Sequence, residues 1–275
     1  MAPAESRDRR TRDLASRAFA RLLDAVGPHW QDMVLIGGLV PDTLVDGDEP
    51  HQGTLDVDVL LPLALQYDQD DDDFGWLEIA LQAAGFSRAN EGTGWRWLTD
   101  VDGFPVVVEF LTDVPDSQGQ EIVLPGTFAV TAMNLEGPGP ALRNTRVADF
   151  GGKTARVAGV GGYLAAKAAA IVGRGKAKDL YDFAYVVVNG VRESATAVAL
   201  SAAAASHPDA AWHRDPRHDI RAAIGLYTHL QSDGPRHYAA ESRAAGSSES
   251  EADLALDAVI AVRQFVDAFE TAIGQ

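Results

Sequence analysis

The chain of 275 residues contains no cysteine, which removes disulfide frameworks, thiolate nucleophiles and cysteine-bound zinc from consideration. No uninterrupted apolar run reaches the roughly 18 residues that a membrane span needs. The charged start, Met1 to Arg12, lacks the apolar stretch of a secretory leader. Together these absences predict a cytoplasmic protein without membrane contact. Basic residues are also scarce: 23 Lys and Arg stand against 40 Asp and Glu, a formal net charge of -17. That balance argues against non-specific coating of nucleic acid, whose sequence-independent affinity comes from Lys and Arg neutralising phosphates. The charge is unevenly spread. Between Asp42 and Glu121 the only basic residues are Arg88 and Arg96, whereas between Arg143 and Lys178 the only acid is Asp149. The second stretch either faces a polyanion or forms a solvated charged surface.

What the chain does have is an ordinary hydrophobic content of 46%, enough for one sizeable core or two modest ones. Its periodicity changes near residue 150. Before that point an amphipathic helix over 12–26 leads into strands at 33–36 and 55–61, with a short helix at 39–45 and a turn at 46–50 between them. A solvated acidic loop at 70–73, a helix at 76–84 and strands at 95–98, 106–111 and 121–124 complete a mixed sheet. After it come alanine-rich helices at 162–172, 176–188, 193–206, 218–230 and 251–273, with a polar linker at 243–250 before the last. This pattern divides the chain into an α/β part, 1–150, and a helical part, 151–275.

The chemistry is concentrated in the α/β part. Gly37 and Gly38 end the apolar run Met33-Val34-Leu35-Ile36, where backbone N–H groups suit a triphosphate. Asp56 and Asp58 stand two apart in a strand, and a period of two sets both carboxylates on one face. Glu109 interrupts the apolar run Val106 to Leu111, where a buried carboxylate needs a cation. Three acids on neighbouring strands are the hard-oxygen set that a two-magnesium site uses to neutralise phosphate oxygens. In the helical part, Lys167 is a cation on an alanine-rich helix face. Its stem snorkels there or its head meets an anion such as a triphosphate.

These residues resemble the nucleotidyltransferase superfamily and, within it, the AbiEii-like toxins of type IV toxin-antitoxin systems, a group that includes the MenT toxins. The N-terminal match is Leu35-Ile36-Gly37-Gly38 with Thr54-Leu55-Asp56-Val57-Asp58. The C-terminal match is Tyr163 to Lys167 followed by the run Gly173 to Asp182. The resemblance implies a nucleotidyltransferase-type mixed sheet (α+β) with a helical C-terminal half. It also implies a Mg²⁺-dependent enzyme that moves a nucleotide from a nucleoside triphosphate to RNA, in MenT-like members the tRNA 3′ end, and that a separately encoded antitoxin opposes. Asp56, Asp58 and Glu109 would be the metal ligands, and Gly37 and Gly38 would bind the β and γ phosphates. Lys167 would stabilise the triphosphate and Asp179 would orient that lysine or the nucleotide, with Lys176 and Asp182 as further nucleotide contacts. The sequence departs from the pattern at Leu39, where serine is usual, at Glu109, where aspartate is, and at Lys178, where arginine is. A small-molecule nucleotidyltransferase and a non-catalytic nucleotide-binding protein of the same fold are the alternatives, and the acidic N-terminal half suits a cationic acceptor.

Other motifs carry less. Gly152-Lys153-Thr154 imitates the end of a phosphate loop, but the required glycine is absent at Val147 and a strand or turn follows. His213, His218 and His237 are too scattered for zinc and read as solvated surface. His51 reads as a surface turn.

Overall fold

The computed structural model describes residues 9–63, 73–115, 117–208 and 214–274. The acidic loop, apart from Asp73, and His213 lie outside the described residues. The chain is a mixed α/β protein that divides into two compact units. The first comprises Met1–Leu39, Gly53–Glu136 and Arg146–Val157, and the second Val40–Gln52, Gly137–Thr145 and Ala158–Gln275. The sequence pattern put a single boundary near residue 150. Contacts instead assign two short N-terminal segments, including the one that carries His51, to the helical unit.

In the first unit, α1 (Arg9–Val26) buries Leu14, Ala18, Phe19, Leu22 and Val26, a 3-to-4 spacing that makes one apolar stripe. It packs on β2 (Asp56–Leu60), β4 (Arg96–Val101) and β5 (Phe104–Thr112). The other strands among the described residues are β1 (Val34–Ile36), β3 (Ser87–Arg88), β6 (Glu121–Val123), β7 (Thr131–Asn134), β8 (Thr145–Phe150) and β9 (Lys153–Ala158). Their order is β3-β4-β5-β2-β1-β9-β8, with β7 also on β5 and β6 on β7. β2 and β5 are parallel, whereas β1–β2 and β4–β5 are antiparallel.

One turn fixes much of this register. Asp102 and Gly103 have φ of 55° and 83°, the positive values of a two-residue hairpin loop whose twist matches the flanking strands. Val101 therefore pairs with Phe104, and counting back along the ladder brings Arg96 opposite Glu109. Arg17 of α1 holds the turn through a 2.6 Å ion pair to Asp102.

In the second unit, α5 (Val160–Arg174) and α9 (Glu251–Ile273) pack on the long α6 (Ala177–Ala205). The α6 run is interrupted at Ser194, which is extended (φ -165°) and whose Oγ accepts from the N–H of Ala197. This cap separates the two helices expected from sequence. Phe183, Phe265 and Phe269 interlock in the core. Two expectations need correction. Residues 233–244 form a helix, α8, where none was anticipated, because Gly234-Pro235 in its first turn reads locally as a loop. The linker is accordingly shorter than 243–250, and the guanidinium of Arg243 ties it down by donating to the carbonyls of Ser247 and Glu249. The expected helix at 39–45 shrinks to the single turn Pro41–Leu44.

Small residues set the approach of α5 to α6. A Cβ on Gly161 would fall 2.0 Å from the carbonyl oxygen of Ser201, whereas one on Gly173 of the same helix would meet nothing within 4 Å. Gly161→Ala should therefore destabilise by about 1–3 kcal/mol through overpacking, and Gly173→Ala should stabilise by about 0.5–1 kcal/mol through helix propensity. Urea unfolding of the two variants checks this, and shifts of the same sign would refute it.

Candidate functional site

The candidate residues fall into two groups, one in each unit. In the first unit, Asp56 and Asp58 are half-buried on one face of β2, while Val57 and Val59 fill the core on the other. The parallel register pairs Asp58 with Glu109 and Asp56 with Val107. One row across the sheet thus reads Ile36, Asp58, Glu109, Arg96, with neighbouring strands about 4.8 Å apart. Gly37 follows Ile36 with φ of 77°, a left-handed conformation that favours glycine. A Cβ there would lie 1.8 Å from Oδ2 of Asp58, so only a residue without a side chain lets that carboxylate lie against the backbone. Gly38 is crowded in the same way, with Thr54 2.7 Å from its would-be Cβ. The glycine pair forms a 3-10 turn, Gly37–Leu39. Since only one helical turn follows, little helix dipole is available for a phosphate.

The donor set of Asp56, Asp58 and Glu109 has the hard oxygen chemistry that magnesium takes. Among the described residues, however, no three His, Asp or Glu side chains are gathered as a ready metal-holding group. Glu109 already has a cation partner that the sequence reading missed. The Nε of Arg96 donates to Oε1 of Glu109 at 2.8 Å, and Nη2 lies 2.8 Å from the same oxygen. Burial and, next, the Asp58 charge push the Glu109 carboxyl up to about 7, against the pull of Arg96.

In the second unit a buried charge network replaces several surface expectations. Asp182, expected by resemblance as a nucleotide contact, is fully buried on α6. Its Oδ2 accepts from Lys167 Nζ at 2.6 Å and its Oδ1 from His51 Nε2 at 2.9 Å. Lys167 also donates to Asp179 at 3.3 Å, and Asp179 receives both prongs of Arg174 at 2.7 Å. The anion that Lys167 meets here is a pair of carboxylates from its own chain. Lys176 stands exposed at the N-cap of α6.

His51 corrects the surface-turn reading: it is 1% exposed. Two hydrogen bonds and a ring stack hold it there. Its N–H donates to Asp42 Oδ1, its imidazole bonds Asp182, and it stacks on Tyr181 with ring centroids 5.0 Å apart. Burial lowers the His51 pKa in spite of Asp182. In its neutral form the imidazole carries its proton on Nε2, toward the carboxylate. For Asp182, burial alone would raise the pKa, but Lys167 and then His51 outweigh it and hold the group far below the usual carboxylate range. Asp179 is likewise held low, where the Arg174 hydrogen bonds and the Lys167 charge overcome its burial. His218 is exposed and His237 half-buried.

No protein-family model, no curated protein and no solved structure matches the chain. Among the described residues no helix is long and apolar enough to cross a membrane.

Two expected outcomes follow from these charges. Glu109 has a folded pKa raised from 4.5 to about 7, so between these values the folded state binds a proton that the unfolded chain has released. Its contribution to stability falls as pH rises through that window and is flat above it. Glu109→Gln should thus melt above wild type at pH 8, with the difference gone at pH 4.5; equal melting temperatures at pH 8 would refute the assignment. Lys167→Met keeps the stem's packing but leaves Asp182 without its strongest partner, and should cost about 3–5 kcal/mol in chemical unfolding. A loss under about 1 kcal/mol, the range of an exposed pair, would contradict the buried network.

Proposed function

We propose that the chain is a magnesium-dependent nucleotidyltransferase that resembles the AbiEii-like toxins and transfers a nucleotide from a nucleoside triphosphate to an RNA acceptor. The observation that carries this reading is the shared register of β2 and β5. It sets Asp56, Asp58 and Glu109 on one face of adjacent strands, beside the bare backbone of Gly37. Asp56, Asp58 and Glu109 would hold magnesium. When bound, the metal supplies charge neutralisation on the triphosphate and alignment of the attacking and leaving oxygens. Gly37 and Gly38 would hold the β and γ phosphates through backbone N–H groups, while their missing side chains make room for Asp58 and Thr54. Glu109 would also help to accept the proton released as an acceptor hydroxyl attacks the α-phosphorus. The new O–P bond replaces the bond to the β-phosphate, and pyrophosphate leaves. By resemblance to the MenT group the acceptor is the tRNA 3′ end, and a separately encoded antitoxin opposes the activity in the cytoplasm.

A second reading, transfer to a cationic small molecule, is favoured by one observation. Within the basic stretch, Lys153 is paired with Asp24, Arg174 with Asp179, and Lys167 with Asp182. These cations are spent on internal partners rather than left for a polyanion.

Incubation with each labelled nucleoside triphosphate, Mg²⁺ and either total tRNA or a polyamine-like acceptor separates the readings. Label in tRNA, lost in both Asp56→Ala and Asp58→Ala while the circular dichroism spectrum is unchanged, is the expected result. Label only in the small molecule establishes the second reading, and label in neither makes the chain a non-catalytic binder.

A further inference from the structure

We infer that Arg96 is a positioning residue for the metal-binding carboxylates: it holds Glu109 by one oxygen and leaves the other to face a cation. This rests on the reading of Asp56, Asp58 and Glu109 as magnesium ligands. Several arginines of the chain meet carboxylates fork to fork, one N–H on each oxygen, among them Arg174 on Asp179, Arg214 on Asp219 and Arg221 on Glu270. That is the usual bidentate arrangement, whereas Arg192 reaches Asp48 and Asp257 through one oxygen each. Arg96 instead directs both Nε and Nη2 at Oε1 of Glu109. Among the described residues, Oε2 accepts no hydrogen bond.

Arg96 is itself held in place. The hairpin register fixes it opposite Glu109, and its guanidinium lies over the Trp95 ring, 4.1 Å from the centroid, a cation–π contact that sets the plane of the group. Glu109 is 15% exposed and Arg96 44%, so the pair lies at the surface of the sheet, where an ion can arrive. Outer-shell groups that orient a ligating carboxylate commonly govern metal affinity almost as strongly as the ligands themselves.

The rival interpretation of the same ion pair is that Arg96 occupies the metal's place, and the two predict opposite signs. Mn²⁺ serves as the probe, with free ion measured by electron paramagnetic resonance on the full chain. Positioning predicts that Arg96→Ala weakens Mn²⁺ binding by about 10- to 100-fold. Arg96→Lys, which keeps the charge as a single point donor, should recover part of that loss, with thermal melts verifying that both variants are folded. Unchanged or tighter Mn²⁺ binding in Arg96→Ala overturns the inference. Asp56→Asn and Asp58→Asn distinguish this from failure of the underlying reading. If wild type binds no Mn²⁺, or both aspartate variants bind it as wild type does, the metal assignment itself falls and takes the inference with it.

Discussion

The alignment of β4 against β5 governs which charges of the first unit can meet. Because side chains alternate faces along a strand, a slip of one residue would turn Glu109 into the core and bring Val108 to the candidate site. The two-residue turn at Asp102-Gly103 forbids that slip, since its backbone twist suits only the tight hairpin. The Arg17 ion pair to Asp102 and the Arg21 hydrogen bond to Thr99 fasten the same hairpin to α1. A turn on one side of the sheet thereby sets the geometry of the row Asp58, Glu109, Arg96.

The second unit solves a different problem. Two carboxylates buried without cations would be untenable, and so would a buried lysine without an anion. Asp182 and Asp179 take Lys167 and the half-exposed Arg174 as counter-charges, and the other oxygen of Asp182 accepts from His51. The cluster ties the consecutive helices α5 and α6 to the segment that carries His51, far from them in the chain. Its value lies less in net energy than in a specified arrangement, because a half-satisfied network of this kind is worse than an apolar core.

Much of the first unit was legible in the sequence. Alternation over 55–61 and the apolar run over 106–111 gave strands close to β2 and β5, and helical spacing gave α1 and the bounds of α9. The Arg96–Glu109 pair was legible too, though it was not read: an Asp-Gly turn flanked by alternating residues licenses counting back along the ladder. The partner of His51 had no such signal. His51 and Asp182 stand 131 residues apart, and a histidine between a proline turn and a glycine looks the same whether buried or wet. Lys167 was intermediate. A cation on an alanine-rich face announces that it needs an anion, but not whether that anion is a ligand or the chain's own carboxylates. The hairpin of β8 and β9 and the helix α8 escaped notice because glycines at 151, 152 and 234 read as breaks when tertiary packing was the deciding factor.

The order of the strands has a consequence for how copies of this protein treat one another. An open sheet ends in strands whose unpaired backbone groups can template a second chain, and among the described residues this sheet has three such margins, β3, β6 and β8. β3 is two residues long and ends in Arg88, and β6 is three residues long and opens with Glu121. β8, the longest of them, exposes Val147 but carries Arg146 and Asp149, both exposed, on either side of it. Every margin is therefore abbreviated or flanked by charge. With no cysteine to cross-link a chance encounter, the backbone offers neighbouring molecules little to hold, and self-association must rely on side chains.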